Sequence, residues 1–190
     1  MAEAMLRESE SVELFGGAMT CELPRSFADT SAFRQVPDHQ EVWADTASDR
    51  SFIVEVLERK TEVADDQAVA FFLSDLANFN DARESSVLRE RPASDDELPG
   101  FPVGSGARLV GCGEQRVAKY NEGCANTVHV HMCVARLLEQ ETDLLITLND
   151  PVAIDPQSSS GGEAVRQGGE ELFRGVLRSF RILDWGLFGT

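Results

Sequence analysis

The chain reads as an α+β domain, a mainly antiparallel β-sheet sandwiched between helices in an α/β/α sandwich. Three observations predict it. Strand-like runs outnumber helical ones, and most are joined by loops too short to hold a crossover helix, which favours antiparallel pairing. The run Ser51–Glu58 is apolar on both faces, Phe52, Val54 and Val56 against Ile53 and Leu57, so the sheet needs cover on both sides. Two amphipathic segments are available to supply that cover.

Residues 1–11 carry apolar side chains without a period and are expected to form a flexible acidic leader, ahead of a single domain over 12–190. Extended pieces at 13–15 and 18–22 precede a turn at Pro24. Strands near 40–44 and 51–57 flank the turn 46–50, and these pieces together suggest an antiparallel meander. From Asp65 to Asn78, Val69, Phe72, Leu73 and Leu76 recur at i, i+3, i+4 and i+7. Asp65 and Asp66 stand where the positive end of a helix dipole favours carboxylates, so a helix is expected there. Residues 85–91 read as a further strand, and 92–106, rich in Pro, Gly and Asp, as a surface loop within the domain.

Paired strands are expected over 107–120 and 127–138, and a third over 143–149. In the second of these, Val128, Val130, Met132 and Val134 share one face, while His129, His131 and Cys133 share the other. Residues 155–162 read as a second loop. Val165, Leu172, Phe173, Val176, Leu177 and Phe180 then mark a C-terminal helix whose start is blurred by Gly168 and Gly169.

Composition narrows the function classes. The 190 residues suit one ordinary domain, and 42% hydrophobic residues with 7 Pro and 15 Gly suffice for a core. The balance of 17 Lys and Arg against 33 Asp and Glu, a formal net charge of −16, repels phosphate backbones and anionic lipid and attracts basic proteins. No nucleic-acid partner is therefore expected. The opening residues lack the basic and apolar regions of a secretory signal, and no stretch approaches the roughly 20 apolar residues of a membrane span, so no membrane insertion is expected either. Cys21, Cys112, Cys124 and Cys133 are irregularly spaced and read as reduced thiols of a cytosolic or nuclear protein. High net charge makes a monomer the default.

Catalytic patterns are weak. Gly123 followed by His129-Val130-His131 matches the opening of the metal-binding cupin motif, and two imidazoles at i, i+2 on a strand can reach one ion. The match ends there, because Ala135 and Arg136 stand where the motif asks for Glu. Cys133 shares the histidine face and could act as a nucleophile with either ring as base, but no orienting third group is visible. The pairs Gly104/Gly106 and Gly111/Gly113 lack the context and the terminal Lys-Ser/Thr of a phosphate loop, so no nucleotide cofactor is expected. No catalytic residue, metal or cofactor is assigned; a metal-dependent enzyme using His129 and His131 is the alternative from another class.

The segment 33–58 stands apart. It sets Asp38, Gln40, Glu41, Asp45, Glu55 and Glu58 around a run that otherwise reads as sheet core. Glu55 and Glu58, three residues apart, fall on opposite sides of an ideal strand and so make no same-face acid/base pair. Glu58 is expected just beyond the strand, at a rim that Asp38, Gln40 and Glu41 can join. Acidic groups on an apolar strand favour a protein-binding patch over a solvated edge.

The blocks Leu14-Phe15-Gly16-Gly17-Ala18, Phe27-Ala28-Asp29-Thr30-Ser31, Arg34-Gln35-Val36-Pro37-Asp38-His39-Gln40-Glu41-Val42 and Ser51-Phe52-Ile53-Val54-Glu55-Val56-Leu57-Glu58 resemble the Ran guanine nucleotide release factors of the Mog family. So do Gln115-Arg116-Val117-Ala118-Lys119, residues 141–151 and the closing Leu183-Asp184-Trp185-Gly186-Leu187-Phe188-Gly189. The resemblance implies a fold similar to the extrinsic photosystem subunits of the PsbP type. It implies binding of the small GTPase Ran, release of its guanine nucleotide and support of nuclear protein import, with residence in nucleus and cytoplasm. A Ran-binding helper protein is a further possible partner, and an adaptor without release activity the nearer alternative. Glu55 and Glu58 are the implied Ran contacts, with Asp38, Gln40 and Glu41 in the adjoining block. Departures fall at Phe52, the 92–106 loop and the 155–170 segment.

Overall fold

The computed structural model describes residues 8–119 and 122–189. The chain opens with a hairpin, β1 (Ser9–Leu14) and β2 (Met19–Pro24), in register from Ser9↔Pro24 to Leu14↔Met19. Its reversal is a short helical turn over Phe15–Gly17 in which all three residues take positive φ. Two glycines make that affordable, since they lack the Cβ that disfavours the left-handed region. Ser9–Ser11 are therefore strand residues and not part of a leader, while residues 1–7 of the expected leader lie outside the described residues.

Three strands follow: β3 (Phe27–Asp29), β4 (Gln40–Asp45) and β5 (Ser51–Glu58). Helix α1 (Ala68–Phe79) comes next, then β6 (Glu84–Pro92), β7 (Gly106–Val117), β8 (Asn126–Leu137) and β9 (Thr142–Ala153). Helix α2 (Gly169–Ser179) and the short β10 (Arg181–Ile182) close the fold. Seven strands form one sheet in the order β3-β4-β5-β9-β8-β7-β6, every neighbour antiparallel. Its outer strand β6 carries charge, a terminal Pro92 and a bulge between Val87 and Arg89, features that discourage edge-to-edge pairing.

The meander is corrected at its start. β1 and β2 leave the large sheet and join β10 in a separate three-stranded sheet, ordered β1-β2-β10. Alternation in a sequence identifies a strand but not its partner. Here Val12, Leu14, Met19, Cys21 and Leu23 are buried toward the core that lies across the large sheet from α1.

Each face of the large sheet thus has its own cover. On one, Val69, Phe72 and Leu73 of α1 pack on Leu109, Val130, Met132, Val134 and Leu145. Burying a side chain of this size stabilises by about 1.5–3 kcal/mol. On the other, α2 and the small sheet enclose Phe52, Val54, Cys133, Ile146, Phe173 and Phe180. The 92–106 loop belongs to this core: Leu98 and Phe101 are buried, and Phe101 stacks on Phe180 at 5.9 Å. α2 begins at Gly169, because Gly168 takes φ +82, and Val165 stays outside the helix. Strand β7 ends at Val117, short of the expected 120. No helix among the described residues is long and apolar enough to cross a membrane.

Candidate functional site

The β4–β5 pairing decides where the five candidate residues stand. Gln40 lies directly opposite Glu55, which in turn lies opposite Leu145 of β9, and Leu145 packs against α1. Gln40 and Glu55 therefore share the α1 side of the sheet, and Gln40 Nε2 donates to Glu55 Oε1 at 2.6 Å. α1 itself packs on β6, β7 and β8, so this half-buried pair lies outside its main footprint. The preceding turn is fastened to the same place. Gln40 N–H donates to Pro37 O and Val56 N–H to His39 O, each at 2.9 Å, which sets exposed Asp38 beside the middle of β5.

The other two carboxylates face away. Glu41 stands opposite Val54, whose side chain is in the α2-side core, and its Oε1 accepts the backbone N–H of Phe15 at 2.6 Å. Burial, with Asp29 nearby, pushes the Glu41 carboxyl above its ordinary value, and the Phe15 N–H offsets part of that. Its job is to tie the large sheet to the small one. Glu58 is the last residue of β5, opposite Thr142, and is exposed. It belongs to the strand itself and not to a rim beyond it. The structure thus brings together Asp38, Gln40 and Glu55, sets Glu58 at the strand's end on the other side, and assigns Glu41 to the scaffold.

Phe33, 81% exposed, begins the segment that runs into β4. At the far end of the same strand pair, Ala44, Ser51, Asn80, Lys119 and Asn149 line a cavity of about 470 Å³.

The histidine strand holds what sequence reasoning missed. His129, His131 and Cys133 do share a face, but Cys133 is fully buried in the core, where desolvation pushes its thiol up to about 12, unsuited to a nucleophile. The cysteine that meets the rings is Cys112 of β7, in register with His131, and the ligand atoms of Cys112, His129 and His131 all lie within 4.8 Å of one another. Asp150 and Arg50 were missed too: they form a buried ion pair at 2.7 Å, and Arg50 also donates to the carbonyls of Arg166 and Gln167. The signal for Cys112 was its flanking glycines. Gly111 and Gly113 face α1, which puts Cys112 on the histidine side, but only strand register could pair it with His131.

A protein with 11% sequence identity, cyanobacterial PsbP from Synechocystis sp. PCC 6803, has the same fold, with a TM-score of 0.56 over 92% of each chain. The layering defines the PsbP-like class of antiparallel sandwich. Within it, this chain belongs to the Ran-interacting Mog1 family, whose model matches residues 12–151. It is 42% identical over 183 residues to the Ran guanine nucleotide release factor of Danio rerio, covering 93% of this chain and 98% of that protein. Identity to the Homo sapiens Ran guanine nucleotide release factor is 34%, over 93% of this chain and 95% of the relative. The crystal structure of the Saccharomyces cerevisiae Ran-binding protein Mog1p matches with a TM-score of 0.70 at 26% identity, over 95% of this chain and 98% of that one.

Proposed function

We propose that this chain binds the small GTPase Ran and promotes release of its guanine nucleotide, in support of nuclear protein import. The observation that carries this reading is the 42% identity, over nearly the full length of both chains, to a Ran guanine nucleotide release factor. The protein works by binding, as a monomer present in nucleus and cytoplasm, without covalent catalysis; a Ran-binding helper protein is a candidate second partner. It must hold the nucleotide-free or loosened form of the GTPase more tightly than the loaded form. Coupling of this kind is reciprocal, so bound nucleotide weakens the complex by the same factor. A thousandfold effect corresponds to about 4 kcal/mol of differential contact.

The contact surface is the flank of β4 and β5 beyond α1, with Glu55 at its centre and Asp38 and Gln40 beside it, continued round the end of β5 to Glu58, the second principal carboxylate, with Phe33 as an apolar anchor. Glu55 and Glu58 engage basic groups of the GTPase that otherwise stabilise phosphates or hold its switch segments. The net charge of −16 steers the encounter and makes the on-rate fall with salt. Release of fluorescent GDP or GTP from purified Ran tests the reading. The chain is expected to accelerate release, and Glu58→Lys, with fold retained by circular dichroism, to reduce both binding and release. Binding without acceleration reassigns the chain as an adaptor; unchanged binding and release in Glu58→Lys removes that residue from the surface.

A further inference from the structure

We propose that Cys112, His129 and His131 form a binding site for a divalent transition-metal ion of the zinc class. The site is built by strand register. Cys112 stands opposite His131 and Glu114 opposite His129 across β7–β8, and Asp150 stands opposite His129 across β8–β9. One thiol sulfur and two imidazole nitrogens are a donor set that suits zinc, at about 2.0–2.3 Å from the ion. Tetrahedral ligands at that distance are roughly 3.5 Å apart, so atoms already within 4.8 Å of one another close on an ion by side-chain adjustment alone.

A second observation points to the same place. His131 is 4% exposed, and its Nε2 has no hydrogen-bond partner among the described residues. The nearest carboxylate oxygen, Asp150 Oδ2, is 3.8 Å away, too far for a hydrogen bond. Buried imidazole nitrogens are ordinarily hydrogen-bonded, so this one, with only the longer contact to Asp150, is open to an ion. Its ring is held in place by stacking on Phe173 of α2 at 5.9 Å, which fixes the donor before an ion arrives.

Access and charge fit as well. Cys112, His129, His131 and Asp150 line a cavity of about 300 Å³ that reaches the start of α2, leaving room for a fourth ligand from solvent. Glu114 Oε2 is 3.2 Å from His129 Nε2, in the position of the carboxylates that orient metal-bound imidazoles. Of the cations nearby, Arg50 is matched by Asp150 and Arg89 by Glu170, while Arg166 also lines the cavity. Burial pushes the Cys112 thiol up to about 11, so it enters as a neutral thiol and gives up its proton to the ion; that thiolate and Glu114 then balance a dication. Bound there, the ion clips β7 to β8 beneath α2 and stabilises the folded chain by mass action.

Cobalt(II) titration of the full reduced chain tests the site. One equivalent is expected to bind with a sulfur-to-cobalt charge-transfer band, which zinc then abolishes by displacement, and zinc is expected to raise Tm. Cys112→Ser should remove the band. His129→Gln, at a partly exposed position outside the core, should weaken cobalt binding at least tenfold. Cys124→Ser should change nothing. No stoichiometric band in the unmodified chain, a band that survives Cys112→Ser, or one lost in Cys124→Ser would overturn the proposal.

Discussion

Gln40 Nε2 donates a 2.6 Å hydrogen bond to Glu55 Oε1 across the β4–β5 pair. The amide fixes one carboxylate oxygen and leaves the other for a partner. Glu55→Lys reverses the charge at the centre of the proposed surface and is expected to weaken Ran binding at least tenfold. Gln40→Ala, which frees the carboxylate without removing it, should cost only a few-fold. Titration calorimetry on both variants checks the order; equal losses would mean that Gln40 makes its own contact with the GTPase.

Arg136 and Asp143 form an ion pair at 3.0 Å with both side chains fully buried. Arg136 also reaches Asp65 at 2.9 Å and donates to the carbonyls of Lys60 and Val63, so it fastens the segment leading into α1 onto β8. Arg136→Met leaves the Asp143 carboxylate buried without its cation, and should destabilise by about 3–5 kcal/mol. Urea unfolding measures this. Arg136→Met with Asp143→Asn should recover part of the loss, since the amide needs no counter-ion.

What was legible in the sequence and what was not divides along physical lines. The Val69, Phe72, Leu73, Leu76 spacing places α1, and alternation along β8 separates the α1-facing valines from the histidines. These are local periods. The departure of β1 and β2 into a second sheet, the meeting of Cys112 with His131 and the turning of Glu41 toward Phe15 all depend on pairings between distant segments. Strand β9 was read as ending at Asn149, yet it continues past Pro151. Proline lacks the N–H a ladder requires, and the register shift between Thr127 and Val128 of the facing strand accommodates it.

Gly111 lets α1 approach the sheet. A Cβ there would stand 2.5 Å from Val69 Cγ1 and 2.8 Å from the Arg89 carbonyl oxygen. Backbone cannot yield as a side chain does, so Gly111→Ala should destabilise by about 1–3 kcal/mol through overpacking. At Gly113 the nearest atoms are the Leu73 methyls at 3.0 and 3.1 Å, with Ser86 O at 3.2 Å. Gly113→Ala is accordingly expected to be the milder of the two, and chemical denaturation of the pair checks the ranking.

Two carboxylates give stability opposite dependences on pH. Arg91 grips Glu97 with two hydrogen bonds, 2.8 and 2.6 Å, and Ser94 N–H adds a third at 3.1 Å. The Arg91 hydrogen bonds are the main reason the Glu97 carboxyl falls from an ordinary 4.5 to about 2. Between those values the unfolded chain binds the proton and the folded one does not, so the contribution is whole above pH 4.5 and is lost as pH falls toward 2. Glu41 is raised by burial, so above its ordinary 4.5 the folded chain holds the proton longer and this group's contribution declines as pH rises. Urea midpoints measured across the acid range should show the Glu97→Gln deficit shrinking as pH is lowered. Glu41→Gln, whose amide oxygen can still accept the Phe15 N–H, should instead gain on the parent chain as pH is raised from 4.5 toward neutrality. A Glu97→Gln deficit independent of pH would mean that Arg91 and Ser94 hold the neutral carboxyl as firmly as the charged one.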